Sequence, residues 1–591
     1  MDTLMEILGR VNGIIWHEYV LYVVLGVGLL FTLWSGFCQY RALTHGVAVT
    51  RGKYDDPNDP GAINHFQALS AALSATVGLG NIAGVAVAIA LGGPGAVFWM
   101  WMIGLAGMAL KTTEVTLSML YRNTDDPDNP HGGPMFVAAK AFKSWGMGGL
   151  GKFVGGVFCV TLLISTITGG NMFQAWNVAD ITKTYFDIPQ IATGIVLALL
   201  VGMVIIGGIK RIGSVAGRLV PFMCVLYLLA AAWVLVLNAG EIPAMISLIF
   251  KSAFSQSDAQ GAFIGGSFGY AFLWGMKRAL FSSEAGQGSS PIAHSAAKTN
   301  EPVREAVVAG LEPFIDTLVV CTLTTLVILS TGIWSRGPDV AFDTTPSIIA
   351  ALDDSGDQLV QRDKEDNPVA DGWKQWTLPE TSLARTEGGI EGVYAIVSAG
   401  QNKESGTALH KIRGEIEVHG EGDAQTHSVK WSTIKSRTEP SLVSEGVFFN
   451  YKGATLTAKA FDRTTPNLGK WLVTLAAWLF AISTMISWSY YGEQGVVFLT
   501  GGRGVMAYKL IYCVLIIVAS IPALIATDKE LDNLTALGTG VMLWANIPIM
   551  LVFGFIAMKA YHEYGRKLKT GQFHPHKAPP ITEVVSGEDV E

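Results

Sequence analysis

The run Ala75-Thr76-Val77-Gly78-Leu79-Gly80-Asn81-Ile82-Ala83-Gly84 places three glycines and an asparagine inside a stretch otherwise apolar enough to lie in a bilayer. In hydrocarbon each unpaired backbone group costs several kcal/mol, so irregular backbone persists only where protein buries it or where it lines a polar cavity. The chemistry such a break can do is recognition. Where a helix restarts, its free N–H groups and dipole favour an anionic group such as the carboxylate of an amino acid. Where a helix ends, its unpaired carbonyls suit a hard cation such as Na+. Gly78 and Gly80 let the backbone come close to a ligand, although the same glycines would also serve as a small-residue packing face between helices.

A second irregular stretch, Phe281-Ser282-Ser283-Glu284-Ala285-Gly286-Gln287-Gly288-Ser289-Ser290-Pro291, again sets small, polar and helix-breaking residues beside an apolar run. Further along, Ser483 and Thr484 are followed one turn later by Trp488, a combination that offers hydroxyls to a cation and a roof to a small side chain. Back-bonding of the two hydroxyls to the preceding turn is the simpler use. In Gly169-Gly170-Asn171-Met172-Phe173-Gln174-Ala175-Trp176-Asn177, Asn171 and Gln174 share a helix face and read as a polar pocket wall or as interhelical hydrogen bonding. Ionisable residues within apolar stretches are few: Lys111 with Glu114, Lys277 with Arg278, Glu284, Asp316 and Glu493. Lys111 and Glu114 are spaced to pair with each other. Asp316 is expected to pair with Lys277 or Arg278 as a strut, or else to titrate as a proton carrier.

These residues need a membrane to hold them. Of the 591 residues, 50% are hydrophobic and only 15% charged, the profile of a polytopic membrane protein. Spans of about 20 apolar residues can be placed eleven times, centred near residues 28, 76, 108, 164, 199, 228, 276, 319, 480, 516 and 547. With the first span set aside, the remaining ten divide into two sets of five, each beginning with one of the interrupted stretches. Five is odd, so the halves insert with opposite orientation, as in inverted-repeat transporters whose substrate and coupling ion sit at the breaks. Basic residues collect after every odd span, among them Arg41, Arg51, Lys53, Lys140, Lys143, Lys210, Arg211, Lys298, Arg304, Arg503, Lys509, Arg566 and Lys567. The positive-inside rule then puts the N-terminus outside and the C-terminus in the cytoplasm. Met1 to Glu18 lacks the basic start and small-residue cleavage site of a removable signal.

The predicted organisation is residues 1–336 for transmembrane helices 1–8, 337–465 for an external soluble insert, 466–570 for helices 9–11, and 571–591 for a cytoplasmic tail. The loop from Trp334 to Asn467 carries about six more acidic than basic side chains and alternates like strands in Gly414 to Val418 and Ser441 to Tyr451, so a small, mostly β domain is expected. It contains no cysteine. A partner or ligand contact is one use of such an insert; a tolerated decoration of the loop is the other. The five cysteines, Cys38, Cys159, Cys224, Cys321 and Cys513, lack metal or disulfide spacing and read as small packing residues.

Six strings, FQALSAALSATVGLGNIAGVAVAIALGGPGAVFWMWM, HGGPMF, GGNMFQAWN, FSSEAGQGSSPIAHSAAKT, FIDTLVVCT and ISTMISWSYYGEQG, resemble the alanine or glycine:cation symporter family in order and across nearly the whole chain outside the insert. The resemblance implies a leucine-transporter-type core with an extra first helix and sodium-driven uptake of alanine or glycine. It implies a sodium site made by the carbonyls of Ser74, Val77 and Phe480 with the hydroxyls of Ser483 and Thr484. It also implies a substrate carboxylate near Gly78, Gly80 and Asn81, with Phe173, Gln174, Thr484 and Trp488 shaping the pocket. Family members often carry Thr where this chain has Leu79, which bears on substrate preference. The resulting expectation is an all-α bacterial inner-membrane symporter without enzymatic activity or cofactor, with Na+ as coupling ion, a small neutral amino acid as substrate and no nucleic-acid partner. A proton-coupled symporter using Asp316 or Glu284, and a receptor that binds ligand through the insert, are the alternatives.

Overall fold

The computed structural model describes residues 2–351, 373–387, 390–419, 426–451, 453–522 and 528–573. Most of the expected tail, from residue 574 onward, lies outside them. The chain is mostly helical, and among the described residues seven helices are long and apolar enough to cross a membrane. An eighth candidate is a bent pair, His65–Thr76 and Gly80–Gly92, whose halves meet at 53°. The expected spans near 199, 276 and 516 fall on the shorter helices Gln190–Ile205, Phe268–Ser283 and Val505–Ala519. Outward-facing side chains on these elements, such as Leu199, Met203, Phe222, Leu229, Val236, Leu510 and Val514, are apolar and exposed, as lipid contact requires.

The bent pair is written locally. Asn64 accepts from the Gln67 backbone N–H while the Gln67 side chain accepts from that of Asn64, a reciprocal cap that starts the first half-helix at His65. Val77 then turns extended, at φ −79° and ψ 98°, which ends it. The chain re-enters as a π-helical turn, Gly80–Gly84, before the second half-helix Val85–Gly92. Similar π-helical turns occupy Thr168–Met172 and Phe314–Cys321. Such turns leave the regular ladder and often mark functional positions; sequence periodicity did not predict them.

The expected β insert contains a seven-stranded antiparallel sheet centred on Ile390–Ser398 and Leu409–His419, and a three-stranded sheet of Ile349–Ala350, Lys374–Thr377 and Ile434–Ser436. Val393, Ala395, Val397, Ile412, Val429 and Phe449 form its own small core. One element of the expected, mostly β insert is helical. Gly453–Thr464 is a helix that buries Leu456, Ala458, Ala460 and Phe461, and its Thr457 hydroxyl donates to the Ile82 carbonyl at 3.0 Å. The end of the predicted insert thus hydrogen-bonds a carbonyl of the first break.

Candidate functional site

The long helix Leu468–Thr500 is the wall on which the site assembles. It packs against the first half-helix on one side and the π-turn Thr168–Met172 on another. Toward the half-helix, the Ser483 hydroxyl donates to the Ser74 carbonyl at 3.0 Å and the Thr484 hydroxyl to the same carbonyl at 3.2 Å. Ser74 Oγ donates in return to the Ser483 carbonyl at 2.6 Å. A Cβ on Gly78 would lie 3.1 Å from Thr484 Oγ1, so glycine there sets how closely the break approaches the hydroxyl. Ser74, Gly78, Ser483 and Thr484 are therefore together, more than 400 residues apart in sequence for the two helices that meet. All their contacting atoms are oxygens, the donor set a hard monovalent cation prefers. Val77 and Phe480 are buried in the flanking turns of the same two elements.

At the break, Gly80 is exposed between buried neighbours and a Cβ on it would meet nothing within 4 Å. Leu79 beside it is buried. Asn81 faces inward and is fully engaged. Its Oδ1 accepts from the Gly78 N–H at 2.8 Å, and its Nδ2 donates to Ser282 Oγ at 2.7 Å with Cys321 Sγ 3.4 Å away. Ser282 Oγ in turn donates to Asp316 Oδ2 at 3.1 Å. Asn81 is thus a strut tying the first break to the helix before the second one, and Cys321 touches it as well as packing.

The other wall is the π-turn and the helix Phe173–Phe186 that follows it. Gln174 Nε2 donates to the Gly169 carbonyl at 3.0 Å, while its buried Oε1 has no hydrogen-bond partner. A buried unpaired acceptor costs about 1–3 kcal/mol, so it is a ready position for a ligand's donor. A Cβ on Gly170 would sit 2.4 Å from Trp488 Cγ, which shows the indole lying against that backbone. Trp488 also packs edge-on to Tyr491, with ring centroids 5.5 Å apart. Asn171 Nδ2 donates to the Tyr512 carbonyl at 2.8 Å and so ties two helices, while its buried Oδ1, like Gln174 Oε1, has no partner; Asn177 donates to the Phe173 carbonyl one turn back on its own helix.

One expectation about charges changes, and another holds with an added partner. Asp316 takes its hydrogen bonds from Ser282 and from Thr317 at 2.9 Å; Lys277 and Arg278, the expected partners, lie over the Trp274 ring at 5.9 and 5.5 Å. A deep carboxylate is solvated here by hydroxyls because these lie on its own helix and on the break it faces. Lys111 sits 3.8 Å from Glu114 but nearer, at 3.4 Å, to Glu312. Glu312, Glu305, His294 and His65 are all buried and were not singled out in sequence, although Glu312 stands in a conspicuous apolar run from Ala306 to Val320.

A cavity of about 250 Å³ lies between the insert and the far end of the second half-helix at Ala90 and Leu91, lined by Tyr270, Glu404, Lys411 and Arg413 among others. Burial, then the like charges of Arg336 and Arg413, pushes the Lys411 ammonium down to about 8.

The model of the sodium:alanine symporter family matches residues 1–360 and 428–578. The sodium/alanine symporter AgcS of Methanococcus maripaludis is 34% identical over 507 residues, covering 86% of each chain. A Bacillus subtilis protein named as a sodium/proton-dependent alanine carrier, YrbD, is 30% identical over 568 residues, covering 96% of this chain and 93% of its own. Another Bacillus subtilis relative, named as a sodium/glutamine symporter, GlnT, is 36% identical over 330 residues, covering 56% and 66%. The chain belongs to the sodium:alanine symporter family, a family of multi-pass membrane transporters and not of enzymes.

Proposed function

We propose that this protein imports a small neutral amino acid, alanine or glycine first, driven by Na+ moving down its gradient. The observation that carries the reading is the meeting of Ser74, Ser483 and Thr484 beside the Gly78 break, an all-oxygen cluster next to an opening at Gly80. In this reading Na+ takes the carbonyls of Ser74, Val77 and Phe480 and the hydroxyls of Ser483 and Thr484, displacing the hydrogen bonds that now join the two helices. The substrate carboxylate lies at Gly78, Gly80 and Asn81, its ammonium meets the unpaired Gln174 Oε1, and Phe173, Thr484 and Trp488 leave room for a short side chain. Asn81 already accepts the Gly78 N–H, so the carboxylate competes for that donor or uses the next free one. No bond is made or broken; the work is differential binding in two states.

Eleven spans, with ten in a five-plus-five inverted repeat, give the alternating-access frame for this site. The basic loops favour an outside N-terminus, a cytoplasmic C-terminus and a bacterial inner-membrane location, with the 337–465 domain external. Sodium binding then favours the outward-open state, substrate closes the outer path, and tilting of the first half-helix opens the inner one. Uptake of radiolabelled alanine and glycine into proteoliposomes tests this under imposed Na+, K+ or proton gradients. Accumulation only with a Na+ gradient is expected. Accumulation driven by a proton gradient without sodium, or binding without accumulation, overturns it.

A further inference from the structure

The buried residues around His294 have no part in the site above, and their geometry demands a proton. His294 is fully buried and both its ring nitrogens face carboxylates: Nε2 is 2.7 Å from Glu312 Oε1 and Nδ1 is 2.5 Å from Glu305 Oε1. A neutral imidazole carries one N–H and one bare lone pair. With both carboxylates ionised, the bare nitrogen would confront a carboxylate oxygen among side chains that are all fully buried, where such a repulsion is costly. The three groups together therefore hold one proton beyond a neutral imidazole and two carboxylates, on the ring or on one carboxyl.

A path connects that proton to one face of the molecule. The other oxygen of Glu305 bonds His65 Nδ1, and His65 Nε2 lies 3.9 Å from Asp55 Oδ1, whose side chain is 35% exposed. On the opposite side Glu312 accepts from Ser290 at 2.7 Å and meets Lys111, which continues to Glu114 and Asn546. Glu284 and Asp316 act on Lys111 from the second break and the π-turn, Arg122 acts on Glu305, and His45 lies near His65. Lys111 thus closes the row at the membrane interior, and Asp55 opens it on the side bearing Arg51 and Lys53.

We propose that Glu305, His294 and Glu312 form a binding site for one proton, exchanged through His65 and Asp55 with the face proposed as cytoplasmic. The proton passes from the Glu305–His294 pair to His65 and leaves to water or to Asp55, the reverse path reloading the site. His65 is the first residue of the half-helix that also carries Ser74. Tilting of that half-helix, which rests on the transport reading above, pulls His65 from Glu305 and opens the site to water, so proton release accompanies inner opening.

Nitrogen-15 histidine NMR of the full-length protein in lipid tests the site, with H294Q assigning the signal. At pH 7 the expected result is a doubly protonated His294 ring or, equally supportive, a neutral ring with an infrared carboxyl stretch that E305Q or E312Q removes. A neutral ring with every carboxyl ionised overturns the proposal, and this measurement uses wild-type protein, so poor folding of a variant does not blunt it. Alanine exchange in proteoliposomes tests the path. H65N is expected to move the midpoint of its dependence on internal pH by about one unit, and an unmoved midpoint refutes exchange through His65. If no amino acid is transported while the proton signature is present, the transport reading falls and the proton site stands.

Discussion

The two interrupted stretches use similar residues to opposite ends. In the first, Gly78 and Gly80 lie at ordinary negative φ, and a side chain on Gly80 would meet empty space. In the second, Glu284, Gly286 and Gly288 all have positive φ, at 52°, 78° and 82°, and a Cβ on Gly288 would lie 2.4 Å from Pro134 Cγ. Its polar side chains are buried and mostly held within the kink: Ser289 bonds Glu284, and Gln287 Nε2 donates to the Leu280 carbonyl at 2.9 Å, although Gln287 Oε1 has no partner. The first break has open space beside Gly80; the second is a packed kink around ionisable groups. A glycine-rich interruption therefore marks a site only when the space beside it is free, and glycine at positive φ beneath packed side chains serves the fold.

Substitutions can sharpen this contrast, beginning with the residue that joins the breaks. N81A leaves the Gly78 N–H unpaired and removes the bond to Ser282, so about 2–4 kcal/mol of stability is expected to be lost, seen as a lower thermal midpoint of purified protein. An unchanged midpoint would show the two breaks to be independent. G288A asks a left-handed backbone to carry a Cβ against Pro134 and should cost about 2–3 kcal/mol by the same assay. The Ser483 and Thr484 hydroxyls are tested by S483A and T484A. Each is expected to raise the Na+ concentration for half-maximal uptake about tenfold, equivalent to ~1.4 kcal/mol, with little change in thermal midpoint. The smallest stability effect belongs to G80A, under about 0.5 kcal/mol, because its methyl group enters open space. Its expected effect is on the concentration of alanine for half-maximal uptake, which rises. Were G80A as destabilising as G288A, the distinction between an open and a packed break would collapse.

Spacing alone pointed to several residues of the proposed site. Hydrocarbon penalises a broken ladder, so Gly78 and Gly80 stood out, and the Ser483, Thr484 and Trp488 spacing put hydroxyls and an indole within one turn. Asp316 was recognisable as anomalous, but its partners were not, because the Ser282 hydroxyl is as ordinary in sequence as Lys277 is conspicuous. Asn171 and Gln174 share a face in any helix, and each keeps a buried carbonyl oxygen without a partner; what the sequence could not give is that Asn171 Nδ2 is taken by Tyr512 on another helix. His65, His294 and Glu305 escaped notice since each sits near the end of a helix, where a charged residue ordinarily reaches water. The helix Gly453–Thr464 was hidden inside a stretch whose composition reads as soluble.

Composition and local patterning were sufficient for the membrane class, the position of the first break, and strand character within Gly414 to Val418 and Ser441 to Tyr451, which fall on the strands Leu409–His419, Ser441–Leu442 and Gly446–Tyr451. These follow from interactions within a few residues or from the period of a single element, so one sequence contains them. Tertiary structure alone decided that Ser74 meets Ser483, that Asn81 reaches Ser282, that Thr457 supports Ile82, and that His294 stands between two glutamates. Most of these partners lie hundreds of residues apart, and no local preference encodes which of many buried hydroxyls or carboxylates will face one another. Packing makes that choice, because a buried polar atom must find whichever partner the neighbouring helix brings within reach.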